Sequence, residues 1–423
     1  MKICLDLSPA VHQHAGLGRY AQELLLALAV TDGQNEYVVF YNNPATARVD
    51  PTLERFPKIT TPLSYKPWRL SAMLAHFARI PQDPLFPGVD LFHATDHLLP
   101  CFWRIKSVFT LHDLIFLFHP ETHKPLNRWF LTLMMPRFLR AADAVIAVSE
   151  CTKRDAVRFY GIPEEKITVI YEGVNPRFRP ASPEAIAAVR ARYNLPEHFI
   201  LYVGTIEPRK NLTALLEAFH HLLATRSLRP APCDLRPATC SLLPATCDLR
   251  LVIVGKKGWL YEGFFRRLRE LGLEDRVIFT GYVPDEDLPA IYSAADLFVF
   301  PSLYEGFGLP VLEAMACGVP VICSNTSSLP EVAGDAALLV DPTDVRALAG
   351  AMERALRDEA FRVTLRARGI ERAQRFTWAR AAQETMQVYD WTLDKNPPAP
   401  VISRAQCRTF KISQSGREAA PEP

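Results

Sequence analysis

A chain of 423 residues is longer than one ordinary hydrophobic core accommodates, so two domains are expected. Its 48 basic and 46 acidic residues leave a net charge of +2, which excludes a whole-chain electrostatic footprint for nucleic acid as a partner. Hydrophobic residues at 49% and charged residues at 22% are ordinary for a soluble globular protein, and no apolar run approaches the ~20 residues of a spanning helix.

The N-terminal run at 1–6 turns polar too early for a signal peptide or a membrane anchor. Nine scattered cysteines without a C-x-x-C point to free thiols in a reducing compartment, so a cytoplasmic protein is expected, at most peripheral on the inner face of a membrane. A strand at 3–7 is followed by a loop with His12, His14, Gly16 and Gly18, and then by a helix whose apolar face carries Leu24, Leu25 and Leu28. Gly16-Leu17-Gly18-Arg19 has the look of a dinucleotide fingerprint without its third glycine. The expectation is a flexible loop bringing backbone and Arg19 to a phosphate, with a plain βα turn as the alternative.

Further strands are predicted at 37–41, 90–93 and 107–111, and their alternation with helical stretches implies a doubly wound parallel sheet. Ligands then sit at the carboxyl ends of the strands, where His112 would face a cleft; a His112–Asp113 cap is the alternative. The stretch 127–140, apolar with Arg128, Arg137 and Arg140 at its ends, reads as a membrane-surface helix or a half-buried helix, kinked or ended near Pro136. Strands at 144–149 and 166–170 close this half, and a Pro, Arg and Ser-rich linker at 176–183 leaves it.

The second half restarts with a strand at 199–203. GTIEPRKN at 204–211 follows, with Arg209 and Lys210 at a helix entry, where two cations suit a diphosphate. A seven-residue repeat at 231–250, with Cys233, Cys240 and Cys247, carries prolines that forbid a coiled coil and reads as a duplicated loop. Strands at 250–256 and 277–283 each run into a glycine, and an apolar strand at 296–300 leads into PSLYEGFGLPVLEAMACG at 301–318. There Gly306, Phe307, Gly308 and Leu309 form a glycine loop before a short helix, suited to a phosphate, flanked by Glu305 and Glu313, suited to hydroxyls. Two solvated acids beside a helix entry are the bland alternative.

LHDL at 111–114, GTIEPRKN, GYV at 281–283 and the E-x7-E stretch EGFGLPVLE together closely resemble glycosyltransferase family 4, from about residue 1 to about 392 apart from the repeat. The resemblance implies a GT-B fold: two facing Rossmann-like domains, 1–178 on the acceptor side and 179–375 binding the nucleotide sugar. It also implies a helix at 376–394, with Trp378 and Tyr389, crossing back to the first domain; the tail at 395–423 reads as disordered. By the same resemblance, Glu313 holds ribose hydroxyls and Glu305 meets the transferred sugar. Gly306 to Leu309 support sugar and phosphates; Gly16 and Gly18 are expected to bind the donor on the reading of their own loop. Lys210 and Arg209 meet the diphosphate, and His112 is the cleft histidine. Many members carry arginine directly after the glycine at 204, where this chain has Thr205.

The family implication is retaining, metal-independent transfer from a nucleotide-sugar donor, with no cofactor, to a glycan or lipid-linked acceptor. GLGRY with GTIEPRKN is most similar to bacterial mannosyltransferases using GDP-mannose. A UDP-glucose-dependent transferase, a nucleotide-sugar 2-epimerase and a non-catalytic sugar-nucleotide binder are the rivals.

Overall fold

The computed structural model describes residues 1–12, 15–227 and 249–394, so most of the repeat, with its three cysteines, and the tail lie outside the described residues, as does His14. Seven parallel strands form the first sheet: β1 (Lys2–Asp6), β2 (Glu36–Asn42), β3 (Lys58–Thr61), β4 (Leu91–Ala94), β5 (Lys106–Leu111), β6 (Ala144–Ala147) and β7 (Ile167–Val169). Their order is β3-β2-β1-β4-β5-β6-β7. Six form the second: β8 (Phe199–Val203), β9 (Arg250–Val254), β10 (Val277–Gly281), β11 (Leu297–Phe300), β12 (Val321–Ser324) and β13 (Leu338–Val340), in the order β10-β9-β8-β11-β12-β13.

The central strands FILYV, LFVF and VICS are apolar on both faces because helices cover both sides of a parallel sheet. Strand order reverses beside β1 in the first sheet and beside β8 in the second. The chain therefore splays apart at the carboxyl ends of β1 and β4, and of β8 and β11, leaving two crevices. The segments leaving β5 and β11 touch: a Cβ on Gly306 would stand 2.0 Å from the carbonyl oxygen of His112, so only glycine permits the approach. The two sheets thus meet through their strand-end loops.

Across this junction Glu331 accepts hydrogen bonds from the backbone N–H groups of Glu150 and Cys151 at 2.9 and 3.0 Å, capping the Glu150–Tyr160 helix of the first domain from the second. The Trp378–Leu393 helix lies against the first sheet, where the Tyr389 hydroxyl is hydrogen-bonded to His93 Nδ1 at 2.6 Å.

Two expectations need correcting, and two elements carried no expectation. Gly16 and Gly18 lie in the first turn of the Ala15–Thr31 helix rather than in a loop, and Gly18 is there because a Cβ would meet Pro9 O at 2.8 Å. The helix around Pro136 spans Pro125–Ala141 without ending at the proline. Strand β3 and the Tyr65–Ala78 helix lack a regular enough polar and apolar alternation to be read beforehand. Among the described residues Cys4, Cys101, Cys151, Cys317 and Cys323 are free and buried, and no helix is long and apolar enough to cross a membrane.

Candidate active site

Because β8 and β11 are neighbours, the segments leaving them come together at the crevice of the second sheet. Lys210, at the end of the Pro208–Lys210 turn, donates from Nζ to Glu305 Oε1 at 2.6 Å. Arg209 donates from Nη1 to Glu305 Oε2 at 2.8 Å and to the Tyr304 carbonyl at 3.2 Å, and from Nη2 to Glu207 Oε1 at 2.7 Å. Lys210 and Glu305 are 9% and 7% exposed, so the pairing takes place in a largely dry setting where charges interact strongly.

Burial alone pushes the Glu305 carboxyl up, but the Arg209 and Lys210 charges outweigh it and hold the group at about 2. Burial, then the Arg209 charge, pulls Lys210 below the usual ammonium range. Glu305 therefore stays ionised over the physiological range. Arg209 spends its fork on two carboxylates and a carbonyl, whereas Lys210 has one oxygen partner for its three N–H donors, its Nζ standing 5.1 Å from the centre of the Phe300 ring.

The loop between Glu305 and the Leu309–Ala316 helix is pinned from below. Ser328 Oγ donates to the carbonyls of Glu305 and Phe307 at 3.0 and 2.7 Å, and Ser327 Oγ accepts from Glu305 N at 3.0 Å. Gly308 takes φ +114° as the residue before the helix, a conformation that favours glycine. Phe307 is buried against Phe376 and Tyr171, so its ring is a strut of the loop.

One turn further, Glu313 is 2% exposed and accepts from the Tyr292 hydroxyl at 2.9 Å and from Arg19 Nη1. Arg19 reaches it from the first domain and also donates to Asp285 at 2.7 Å. Burial raises the Glu313 carboxyl more than Arg19 lowers it, and the Glu313 charge holds Arg19 firmly protonated.

Gly16, Gly18, Arg19, Leu309 and Glu313 line one interdomain cleft of about 690 Å³, together with Gly204, Thr205, Gly255, Lys256 and Tyr282. Glu305, Arg209, Lys210, His112 and Gly306 to Gly308 are not among its lining residues; they form a second, more buried group. Within that group His112 is buried, its Nε2 hydrogen-bonded to the Thr95 carbonyl at 3.0 Å, its ring edge-on to Tyr20 at 4.7 Å. A nitrogen facing a carbonyl must carry the proton, so Nδ1 is the acceptor in the neutral ring. Glu172 Oε1 stands 3.7 Å from Nδ1, beyond hydrogen-bond range.

The chain matches the family description "Glycosyltransferase Family 4" over residues 14–178 and "Glycosyl transferases group 1" over residues 188–376. It is 32% identical to O-antigen chain mannosyltransferase B of Escherichia coli over 407 residues, 92% of this chain and 99% of that protein. The chain belongs to this glycosyltransferase family. The longer serotype-specific mannosyltransferase WbdA of Escherichia coli is 37% identical over 282 residues, 66% of this chain but 32% of WbdA. Sucrose-phosphate synthase from Thermosynechococcus elongatus superposes with TM-score 0.71 at 25% identity, covering 92% of this glycosyltransferase and 98% of that chain. HepE from Anabaena, in complex with UDP and glucose, gives 0.66 at 20%, covering 92% and 99%. The fold is GT-B.

Four residues lining or lying behind the cleft of the glycosyltransferase carried no assignment from sequence. Tyr292 and Asp285 hold Glu313 and Arg19 but come from segments with no local motif. Lys256 directly follows the glycine corner of β9, a strand-end position that does signal a ligand contact. Its Nζ lies 4.5 Å from the centre of the Tyr282 ring, which is 63% exposed on the cleft wall.

Proposed function

We propose that this glycosyltransferase moves mannose from GDP-mannose, with retention of anomeric configuration, to a hydroxyl of a lipid-linked O-antigen-type polysaccharide. The observation that carries the transfer chemistry is the Lys210–Glu305–Arg209 cluster at the β8/β11 crevice. The sugar and acceptor class rest on the nearly full-length similarity to the O-antigen chain mannosyltransferase.

In the proposed step the bond from the anomeric carbon to the diphosphate oxygen breaks, and its electron pair leaves with the diphosphate. Lys210, through N–H donors not taken by Glu305, and Arg209 meet that charge in a dry site, without a metal. The acceptor hydroxyl attacks from the face the diphosphate leaves, forming the new bond to the anomeric carbon, and its proton passes to the departing phosphate oxygen. Glu305, fixed as an anion by its two cations, accepts from a hydroxyl of the transferred sugar. His112, whose Nε2 N–H donates to Thr95 O, contributes a hydrogen bond to the sugar through Nδ1. Glu313 accepts from the ribose hydroxyls in exchange for Arg19, which is freed towards the phosphates. The first turn of the Ala15–Thr31 helix, where Gly16 and Gly18 lie, adds the partial positive charge of a helix N-terminus. Tyr282 offers a stacking surface for the base, and Lys256 suits the paired O6 and N7 acceptors of guanine.

Thermal unfolding with GDP-mannose, GDP, UDP-glucose and UDP tests this reading, since a ligand of the folded state at a hundred times its Kd adds about 2.7 kcal/mol. GDP-mannose should raise the midpoint most. A response to UDP-glucose alone sinks the donor assignment, and silence to all four sinks the transferase reading. Glu313→Ala should weaken donor binding about tenfold, the size of one charge-assisted hydrogen bond.

A further inference from the structure

A helix that covers a core on one side is ordinarily polar on the other, and the Tyr65–Ala78 helix departs from that rule. Trp68, Ala72 and Ala75 are buried on its inner face, while Leu70, Leu74 and Phe77 project outward. The Pro125–Ala141 helix lies alongside: near its start Arg69 donates to Asn127 Oδ1 at 2.8 Å, and near its end the Arg137 guanidinium stands 4.5 Å from the centre of the Phe77 ring. That second helix presents Leu126 and Trp129. These five apolar side chains, on two neighbouring helices, are between 49% and 71% exposed.

Charge on the same two segments is one-sided. Residues 62–82 and 122–142 contain seven Lys and Arg and no Asp or Glu, in a chain whose totals nearly balance at 48 and 46. Lys66, Arg79, Arg128 and Arg137 among them are exposed beside the apolar side chains. An apolar face bordered by cations with no acid in either segment matches the boundary of an anionic bilayer, where leucine and tryptophan enter the acyl edge and cations meet phosphate headgroups. A soluble protein partner requires no such exclusion of acids.

We propose that the Tyr65–Ala78 face, with Leu126 and Trp129, docks this enzyme on an anionic phospholipid bilayer. This deepens the reading of a lipid-linked acceptor. Arg69 joins the two helices near their starts, and just before Tyr65 the Leu63 carbonyl accepts from Asn42 Nδ2 at 3.2 Å; Asn42, the last residue of β2, also donates its backbone N–H to Ser8 Oγ, two residues past the carboxyl end of β1, at 3.3 Å. The docked face therefore adjoins the crevice of the acceptor-side domain, and a polar chain anchored in the same bilayer reaches it without leaving the surface.

The test floats the full chain with phosphatidylethanolamine vesicles containing about 30% phosphatidylglycerol, against neutral phosphatidylcholine vesicles. The chain should float with the anionic vesicles only, and about 0.5 M salt should release most of it. Leu74→Glu with Phe77→Glu should cut the bound fraction more than tenfold, and Arg79→Glu with Arg128→Glu should cut it at least about fivefold per cation removed. All four positions are exposed, so both variants should keep the parental unfolding midpoint and its response to GDP. No flotation of the parent, or equal flotation of parent and Leu74→Glu/Phe77→Glu, overturns the proposal. A parent that is dimeric by light scattering, does not float, and becomes monomeric in that variant overturns it in favour of a second copy. Flotation uses neither donor nor acceptor, so its failure leaves the transferase reading standing, and a silent nucleotide panel leaves the docking result standing.

Discussion

The two faces of the interdomain junction are built on opposite electrostatic plans. On the second-domain face, Arg209, Lys210, Glu305 and Glu207 are buried together and satisfy one another, with Glu305 held at about 2. On the first-domain face, apart from Arg19, which the Glu313 charge holds protonated, the groups that burial shifts lose charge rather than lock it. His112 faces a carbonyl, burial takes His93 down to about 3, and burial takes the Asp6 carboxyl up to about 7. A face of locked charges suits a ligand part that carries fixed charge, a diphosphate; a face of neutral donors and acceptors suits hydroxyls. The charged face is demanding, because a buried ion that loses its partner is costly, while the neutral face tolerates changes in what it recognises.

Lys210→Ala breaks the charged face at the cation with a single oxygen partner. Turnover should fall about 10²–10³-fold, the usual cost of losing one preorganised donor to developing charge. Donor affinity should change much less, since Arg209 keeps Glu305 ionised. Single-turnover rates beside equilibrium donor binding separate the two effects. A parental rate would remove Lys210 from the chemistry, and an equal loss in both measurements would make it a binding residue only.

Gly306→Ala attacks the place where the faces touch. A Cβ there would lie 2.0 Å from His112 O and 2.8 Å from its carbonyl carbon, both backbone atoms that cannot swing aside. The faces must separate or the loop must shift, and a displacement of about 1 Å between reacting groups costs up to roughly a hundredfold in rate. Rate should therefore drop by roughly ten- to a hundredfold while nucleotide binding to the second domain persists. If nucleotide binding is lost together with rate, the substitution has damaged the phosphate loop itself, and the contrast between the faces is not what was tested.

Much of this arrangement is written locally in the chain. The strand, glycine loop and short helix at 301–318 follow from an apolar run, two glycines, a proline and a closing glycine, each acting within a few residues. The pairing of Glu305 with Lys210 is not local: 95 positions separate them, and they meet only because β8 and β11 are neighbours in the strand order. Glycines misled at Gly16 and Gly18, where conformational freedom suggested a loop; at Gly18 the operative constraint is room for the Pro9 carbonyl beside a helix, while a Cβ on Gly16 would meet no neighbour. The Tyr65–Ala78 helix escaped notice for a related reason. Its outward leucines and phenylalanine blur the periodicity that marks a helix resting on a core, and the feature that hid it is the one that now suggests a second contact surface.

The smallest effect comes from titrating the neutral face. Asp6 accepts from Ser8 N at 2.9 Å; burial raises its carboxyl most, the hydrogen bonds from Ser8 oppose this, and the nearby Asp96 charge adds to it. The folded chain keeps this proton to about pH 7, whereas the unfolded chain releases it near the ordinary 3.8, so between those values the folded state binds more protons and stability falls as pH rises. His93 works the other way. Unfolded it takes a proton near 6.5, and folded only near 3, so its contribution is lost as pH falls through that window. Over the shared range the two slopes oppose, and the parent should show little net dependence from this pair. Asp6→Asn keeps an oxygen for Ser8 N and removes the Asp6 slope alone, so the variant should gain on the parent as pH rises from about 5 to about 7, by at most about 1.4 kcal/mol per pH unit. Denaturant unfolding of both chains at the two ends of that range measures the difference, and any pH-independent cost of the substitution cancels. A difference that stays constant would mean that Asp6 is ionised throughout, and the first-domain face would then be as charged as the second.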